Sequence, residues 1–62
     1  MPLTIEVEPE ADGRWLAEVP ELAGVMAYGA TRTEAVDRVQ ALALRVLAER
    51  NELASRERQR PE

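Results

Sequence analysis

An α+β domain in the order β-β-β-α is predicted, a three-stranded antiparallel sheet with one long helix packed on one of its faces. Three observations carry this expectation. Apolar and polar residues alternate strictly near the N-terminus, Pro/Gly-rich turns punctuate the first half, and a capped segment of helical period fills the second. At 62 residues there is room for a single core. Apolar residues make up 45% and charged residues 32%, a globular balance.

The first strand is Leu3-Thr4-Ile5-Glu6-Val7-Glu8, with Leu3, Ile5 and Val7 on one face and Thr4, Glu6 and Glu8 on the other. Pro9-Glu10-Ala11-Asp12-Gly13 then supplies turn chemistry, Gly13 being free to adopt positive φ. Trp15-Leu16-Ala17-Glu18-Val19 is the return strand, with Trp15, Ala17 and Val19 sharing a face. Pro20 ends it or confines it to an edge. After the short connection Pro20–Gly24, Val25-Met26-Ala27-Tyr28 forms a third strand closed by Gly29. The sheet face away from the helix then carries Glu6, Leu16, Met26 and Tyr28, mixed in polarity and suited to a partner surface.

Thr31-Arg32-Thr33-Glu34 fits a capping box, in which the Thr31 hydroxyl accepts from the Glu34 amide and the Glu34 carboxylate reaches back to the Thr31 amide. Glu34 and Asp37 suit the positive end of the helix dipole. Ala35, Val36, Val39, Leu42, Ala43, Val46 and Leu47 recur at helical spacing and fill an arc of about 140°. Leu44 falls outside that arc, as an isolated exposed leucine or as a contact in an oligomer. Leu53 returns to the arc and Glu52/Arg56 is a favourable i,i+4 pair, so the helix can run past Arg50. The expected division is a domain over residues 1–50 and a charged helix end with a frayed tail over 51–62, where Pro61 blocks continuation.

Composition excludes several chemistries. With no Cys and no His, thiol nucleophiles, disulfides, imidazole bases and the usual zinc or haem ligand sets drop out. No apolar run approaches the roughly eighteen residues of a membrane span, and Met1-Pro2-Leu3-Thr4 lacks the features of a signal peptide, so a soluble cytoplasmic protein is expected. The net charge of −4 is uneven: residues 1–21 hold six acids against Arg14 alone, residues 31–48 are net +1, and the last fourteen residues balance. An acidic N-terminal half repels phosphate and favours a basic partner. A single helix cannot build a helix-turn-helix, and the first strand presents glutamates where a DNA-reading strand needs bases or amides, so no direct nucleic-acid contact is expected. The four arginines near the C-terminus are cancelled by interleaved acids.

Catalysis has one candidate set. Glu6 and Glu8, about 7 Å apart on one strand face, with Glu18 beside them, form a carboxylate cluster open to Mg²⁺ or Mn²⁺ or to acid/base work. The simpler account is a solvated sheet face kept charged. The hydroxyl residues have no neighbouring base, and the glycines form no phosphate loop. The expectation is a non-enzymatic chain without metal or cofactor, with a carboxylate metal-dependent hydrolase as a remote alternative. Phe is absent, and Trp15 and Tyr28 are the only aromatics. So small a core, with no disulfide or metal to support it, predicts self-association into a homo-oligomer.

The stretch from Glu8 to Val25, with its acidic Asp-Gly turn, Trp15, and Ala17-Glu18-Val19-Pro20-Glu21-Leu22-Ala23-Gly24, resembles the N-terminal domain of HicB-like antitoxins. That family shows A-x-V/F-P-D/E-L-P-G-C followed by a G-D-T-x-x-E-A helix entry, here Gly29-Ala30-Thr31-Arg32-Thr33-Glu34-Ala35. The resemblance covers roughly residues 3–48. Ala23 stands where the family often has Pro, Val25 where it often has Cys, and Ala30 where it often has Asp. The resemblance implies a partial RNase H-like fold without nuclease activity. It also implies a role in masking a small basic mRNA-cleaving toxin of HicA type. Many members carry a further DNA-binding domain, and this chain resembles the short, stand-alone ones. Under this resemblance Glu6, Glu8 and Glu18, with Glu10, Asp12 and Glu21, would face the toxin, and Trp15, Met26 and Tyr28 would supply apolar anchors. An orphan self-assembling interaction domain is the alternative.

Overall fold

The computed structural model describes the backbone of residues 3–58 and the side chains of residues 3–51. Its elements are β1 (Glu6–Pro9), β2 (Trp15–Glu18), β3 (Met26–Gly29) and α1 (Arg32–Arg58). The sheet is antiparallel in the order β1-β2-β3, so each strand pairs with its sequence neighbour. The expected α+β architecture is present, with boundaries shifted. Leu3, Thr4 and Ile5 precede β1, and Pro9, expected in the turn, closes it. The helix runs unbroken across the boundary expected at residue 50. The tail expected at residues 59–62 lies outside the described residues. Among the described residues, no helix is long and apolar enough to cross a membrane.

Pairing determines which backbone groups are free. The amide of Glu10 donates to the carbonyl of Arg14 at 2.7 Å. Antiparallel alternation then makes Glu8/Leu16 and Glu6/Glu18 hydrogen-bonded pairs and turns the backbone of Val7 and Pro9 outward. Pro9 therefore sits at an edge position where no donor is required. On the other side Val19 donates to the carbonyl of Val25 at 3.0 Å, which directs the backbone groups of Met26 and Tyr28 away from β2. Arg38 of α1 covers this edge, its Nη1 donating to the Tyr28 carbonyl at 2.9 Å.

Both connections are ordered by backbone chemistry. Gly13 donates to the Glu10 carbonyl at 3.1 Å and takes φ +89°, closing the tight hairpin that Asp-Gly predicts. Between β2 and β3 two turns follow each other, Leu22 donating to Val19 and Val25 to Leu22. Pro20 occupies the second position of the first turn, and Gly24, at φ +78°, the third position of the second. Together they fold Leu22 inward, where it is 1% exposed and among the largest fully buried side chains. Glu21 in the same loop accepts the Thr4 amide with both carboxylate oxygens, each at 3.1 Å, tying the segment before β1 to the β2–β3 loop.

The helix begins as its sequence predicts, with the Glu34 amide donating to Thr31 Oγ1 at 3.0 Å. The return half of the capping box differs: the Glu34 carboxylate accepts from the Ala30 amide at 3.3 Å, not from Thr31. Glu34 also pairs with Arg38 at 2.9 Å. Ala35, Val39 and Ala43 are the fully buried positions of α1, with Val36, Leu42, Val46 and Leu47 partly covered. They meet Ala17, Val19, Leu22 and Val25, so the core is built almost entirely from Ala and Val.

Small residues let α1 approach closely. A Cβ added at Gly29 would lie 2.4 Å from the Ala35 amide nitrogen and 2.9 Å from its Cα, inside backbone that cannot move aside. Gly29→Ala is therefore expected to cost at least about 1–3 kcal/mol. The matching midpoint drop is about 10 °C in a domain of this size. Gly13→Ala, at positive φ but with nothing within 4 Å, costs only about 1 kcal/mol of backbone strain. Thermal denaturation of the two variants side by side checks the order.

Candidate functional site

With one helix on one face of three strands, the other face is open among the described residues. Glu6, Glu8, Leu16, Glu18, Met26 and Tyr28 lie on it in two rows: Glu6–Glu18–Met26 and Glu8–Leu16–Tyr28. The β1 edge is acidic and the β3 edge apolar, with Leu16 at the centre. Met26 is 47% and Tyr28 40% exposed, large values for apolar or aromatic side chains in a chain with so few of them. Glu6 and Glu18 are direct cross-strand partners, an arrangement in which like charges repel. A shallow hollow of about 200 Å³ lies among Glu6, Val7, Glu8 and Glu18.

At the turn end of this face, Asp12 and Arg14 form a hydrogen-bonded corner. Asp12 accepts the Arg14 amide at 3.1 Å and the Arg14 Nε at 2.7 Å. These hydrogen bonds, the backbone one first, hold the Asp12 carboxyl below its usual value of 3.8. The Arg14 guanidinium lies over the Tyr28 ring, 4.4 Å from its centroid. The only base of the acidic half is thus committed to Asp12 and Tyr28, leaving the Glu6/Glu8/Glu18 cluster without an ion-pair partner among the described residues.

Five of the six residues expected to bind a partner, Glu6, Glu8, Glu18, Met26 and Tyr28, share this face. Trp15 does not join them. It lies on the helix side, opposite Pro9 and Gly29, half-buried against the core, because it is two residues from Ala17 on the same strand. Leu16 takes the central place that an apolar anchor requires. Arg14 is the residue that strand periodicity misses, since its contact with Tyr28 runs diagonally across the pairing. Glu21 is occupied with the Thr4 amide, which holds its carboxyl below the usual 4.5. Among the described residues no three Asp or Glu side chains converge to hold a metal ion, so the carboxylates share a face without forming a cage. The chain matches no protein-family model, no curated protein and no solved structure.

Two outcomes follow from these charges. Replacing Glu18 by Gln removes the cross-strand repulsion and is expected to stabilise the fold by about 0.5 kcal/mol. The gain should shrink as salt rises toward about 0.5 M, which melting curves at two ionic strengths will show. Asp12 and Glu21 both titrate lower in the folded chain than in the unfolded one. Their stabilisation is complete above the unfolded values and is lost as pH falls through the folded ones. Stability should therefore decline below about pH 4.5. Asp12→Asn together with Glu21→Gln should flatten this acid limb in a series of melts from pH 7 to pH 3.

Proposed function

We propose that this chain is a cytoplasmic, non-enzymatic protein-binding domain of antitoxin type, whose open sheet face takes a small basic protein. The observation that carries the reading is the composition of that face, in which an acidic edge with no ion-pair partner among the described residues stands beside an exposed apolar edge on one sheet. An acidic patch accelerates encounter with a basic partner and orients it. Leu16, Met26 and Tyr28 then supply the apolar contact that slows dissociation. Tyr28 arrives preorganised, since Arg14 already covers part of its ring. The resemblance of the β2–β3 loop and helix entry to the HicB-like pattern supports the same reading, with a HicA-type mRNA-cleaving toxin as the proposed partner. The chain's role is then steric, covering the toxin's RNA-binding surface with its own carboxylates in place of phosphates.

The test is purification of the tagged chain from its native host, followed by mass spectrometry of what accompanies it. A small basic protein is expected in stoichiometric amount, with RNA cleavage that stops when the chain is added back. Reversing the acidic edge with Glu6→Lys and Glu8→Lys should slow association about tenfold or more at low salt. Leu16→Ala should instead act on dissociation. Recovery of the chain with no second polypeptide, or a partner whose activity the chain does not alter, overturns the reading.

A further inference from the structure

The two edges of the sheet are not alike. At the β3 edge Arg38 of α1 donates to the Tyr28 carbonyl at 2.9 Å, so that backbone group is already taken. The β1 edge has no such cover among the described residues. Thr4, Glu6 and Glu8 direct their backbone groups toward β2, the Thr4 amide to the Glu21 carboxylate and the other two into the ladder. Ile5, Val7 and Pro9 alternate with them and direct theirs outward. The edge therefore offers amide donors at Ile5 and Val7 and carbonyl acceptors at Ile5, Val7 and Pro9. Such a row is a template for one more strand.

We infer that an extended segment of a partner protein, with Lys or Arg alternating with apolar residues, adds antiparallel to β1 as a fourth strand. This rests on the reading of a basic partner and adds the place and the conformation in which that partner is held. Charge selects the basic half of the alternation. An added strand sets one row of its side chains beside Glu6 and Glu8. These are its non-hydrogen-bonded positions, where cross-strand neighbours come closest, about 4.5 Å between Cα atoms. Both carboxylates lack an ion-pair partner among the described residues, so a basic row there meets opposite charge at each step. The same charges disfavour a second copy of this chain on that edge. Two β1 strands paired antiparallel about Val7 set Glu6 of each copy opposite Glu8 of the other, like charge against like charge.

Packing selects the apolar half. The helix approaches the sheet closely at Gly29 of β3 and touches β1 least. Beside the start of β1 this leaves an apolar groove of about 440 Å³, lined in part by Leu3 and Ile5 and by Ala43, Leu44 and Leu47 of α1. Leu44 is 68% exposed, the most exposed of the large apolar side chains among the described residues. Residues of an added strand opposite Ile5 and Val7 lie on the side of the sheet that α1 covers. Apolar side chains at those positions border the groove, while their neighbours reach Glu6 and Glu8. Pro9 has no amide to donate and ends the pairing at the hairpin. The added strand widens the open sheet face by one row.

The test uses the intact chain and a synthetic peptide of about nine residues in which lysine and valine alternate. Binding is followed by NMR at low salt, together with amide hydrogen exchange. The expected result is a complex in which exchange of the Ile5 and Val7 amides slows about tenfold or more. In the antiparallel pairing the valine amides of the peptide point to β1 and the lysine amides point away. N-methylation of the valines should therefore abolish binding, and N-methylation of the lysines should leave it. Val7→Pro, which removes a donor at the kind of edge position that Pro9 already occupies, should weaken the complex about tenfold or more. A glutamate–valine peptide should not bind. Binding that moves only Leu16, Met26 and Tyr28, with Ile5 and Val7 exchange unchanged, overturns the edge and leaves the open-face reading standing. Binding that survives N-methylation of the valines does the same. No binding of the lysine–valine peptide also overturns the inference, whereas the open-face reading falls only with the purification from the host.

Discussion

The close seating of α1 on the sheet at Gly29 and Ala35 governs the rest of the structure. With mostly Ala and Val at the fully buried positions between helix and strands, apolar contact there depends on short separation. Gly29 permits that separation at one end, and Ala17, Ala35 and Ala43 continue it along the interface. The turns around Pro20 and Gly24 then insert Leu22, the one long aliphatic side chain that is fully buried. The capping interactions at Thr31 and Glu34 lock the helix where this packing requires it to begin.

A sheet covered on one side only creates a division of labour. The covered side is apolar, small at its buried centre and larger at Trp15. The uncovered side keeps Glu6 opposite Glu18, which works against folding, and exposes Met26 and Tyr28, which works against solubility. Both features cost the isolated chain free energy or solubility, and both lie on the one face that α1 does not cover. The corner formed by Asp12, Arg14 and Tyr28 ties the turn end of that face together, the Arg14 guanidinium bridging the Asp12 carboxylate and the Tyr28 ring.

Strand and helix periodicity made the architecture legible from the sequence. Alternation in residues 3–8 and 15–19 placed Glu6, Glu8 and Glu18 together, and the Asp-Gly pair placed the hairpin. The capping box placed the helix start, although its return bond goes to Ala30. Less visible were features that depend on tertiary geometry. Leu22 sits in a stretch whose Pro and Gly signal a simple connection, and only the pair of stacked turns shows that it is core. Trp15 has the residue type of an interface anchor, although the alternation that groups it with Ala17 and Val19 already puts it on the helix side. The Arg14–Tyr28 contact is diagonal across two strands and has no signature along the chain.

The meander order of the sheet also bears on how the chain acquires its structure. Each strand pairs with the one just before it, across loops of a few residues, and the helix follows as the last element. No distant segments have to find each other across a long unstructured loop, so little entropy is lost before contacts begin to compensate. Low contact order of this kind goes with folding in milliseconds or faster.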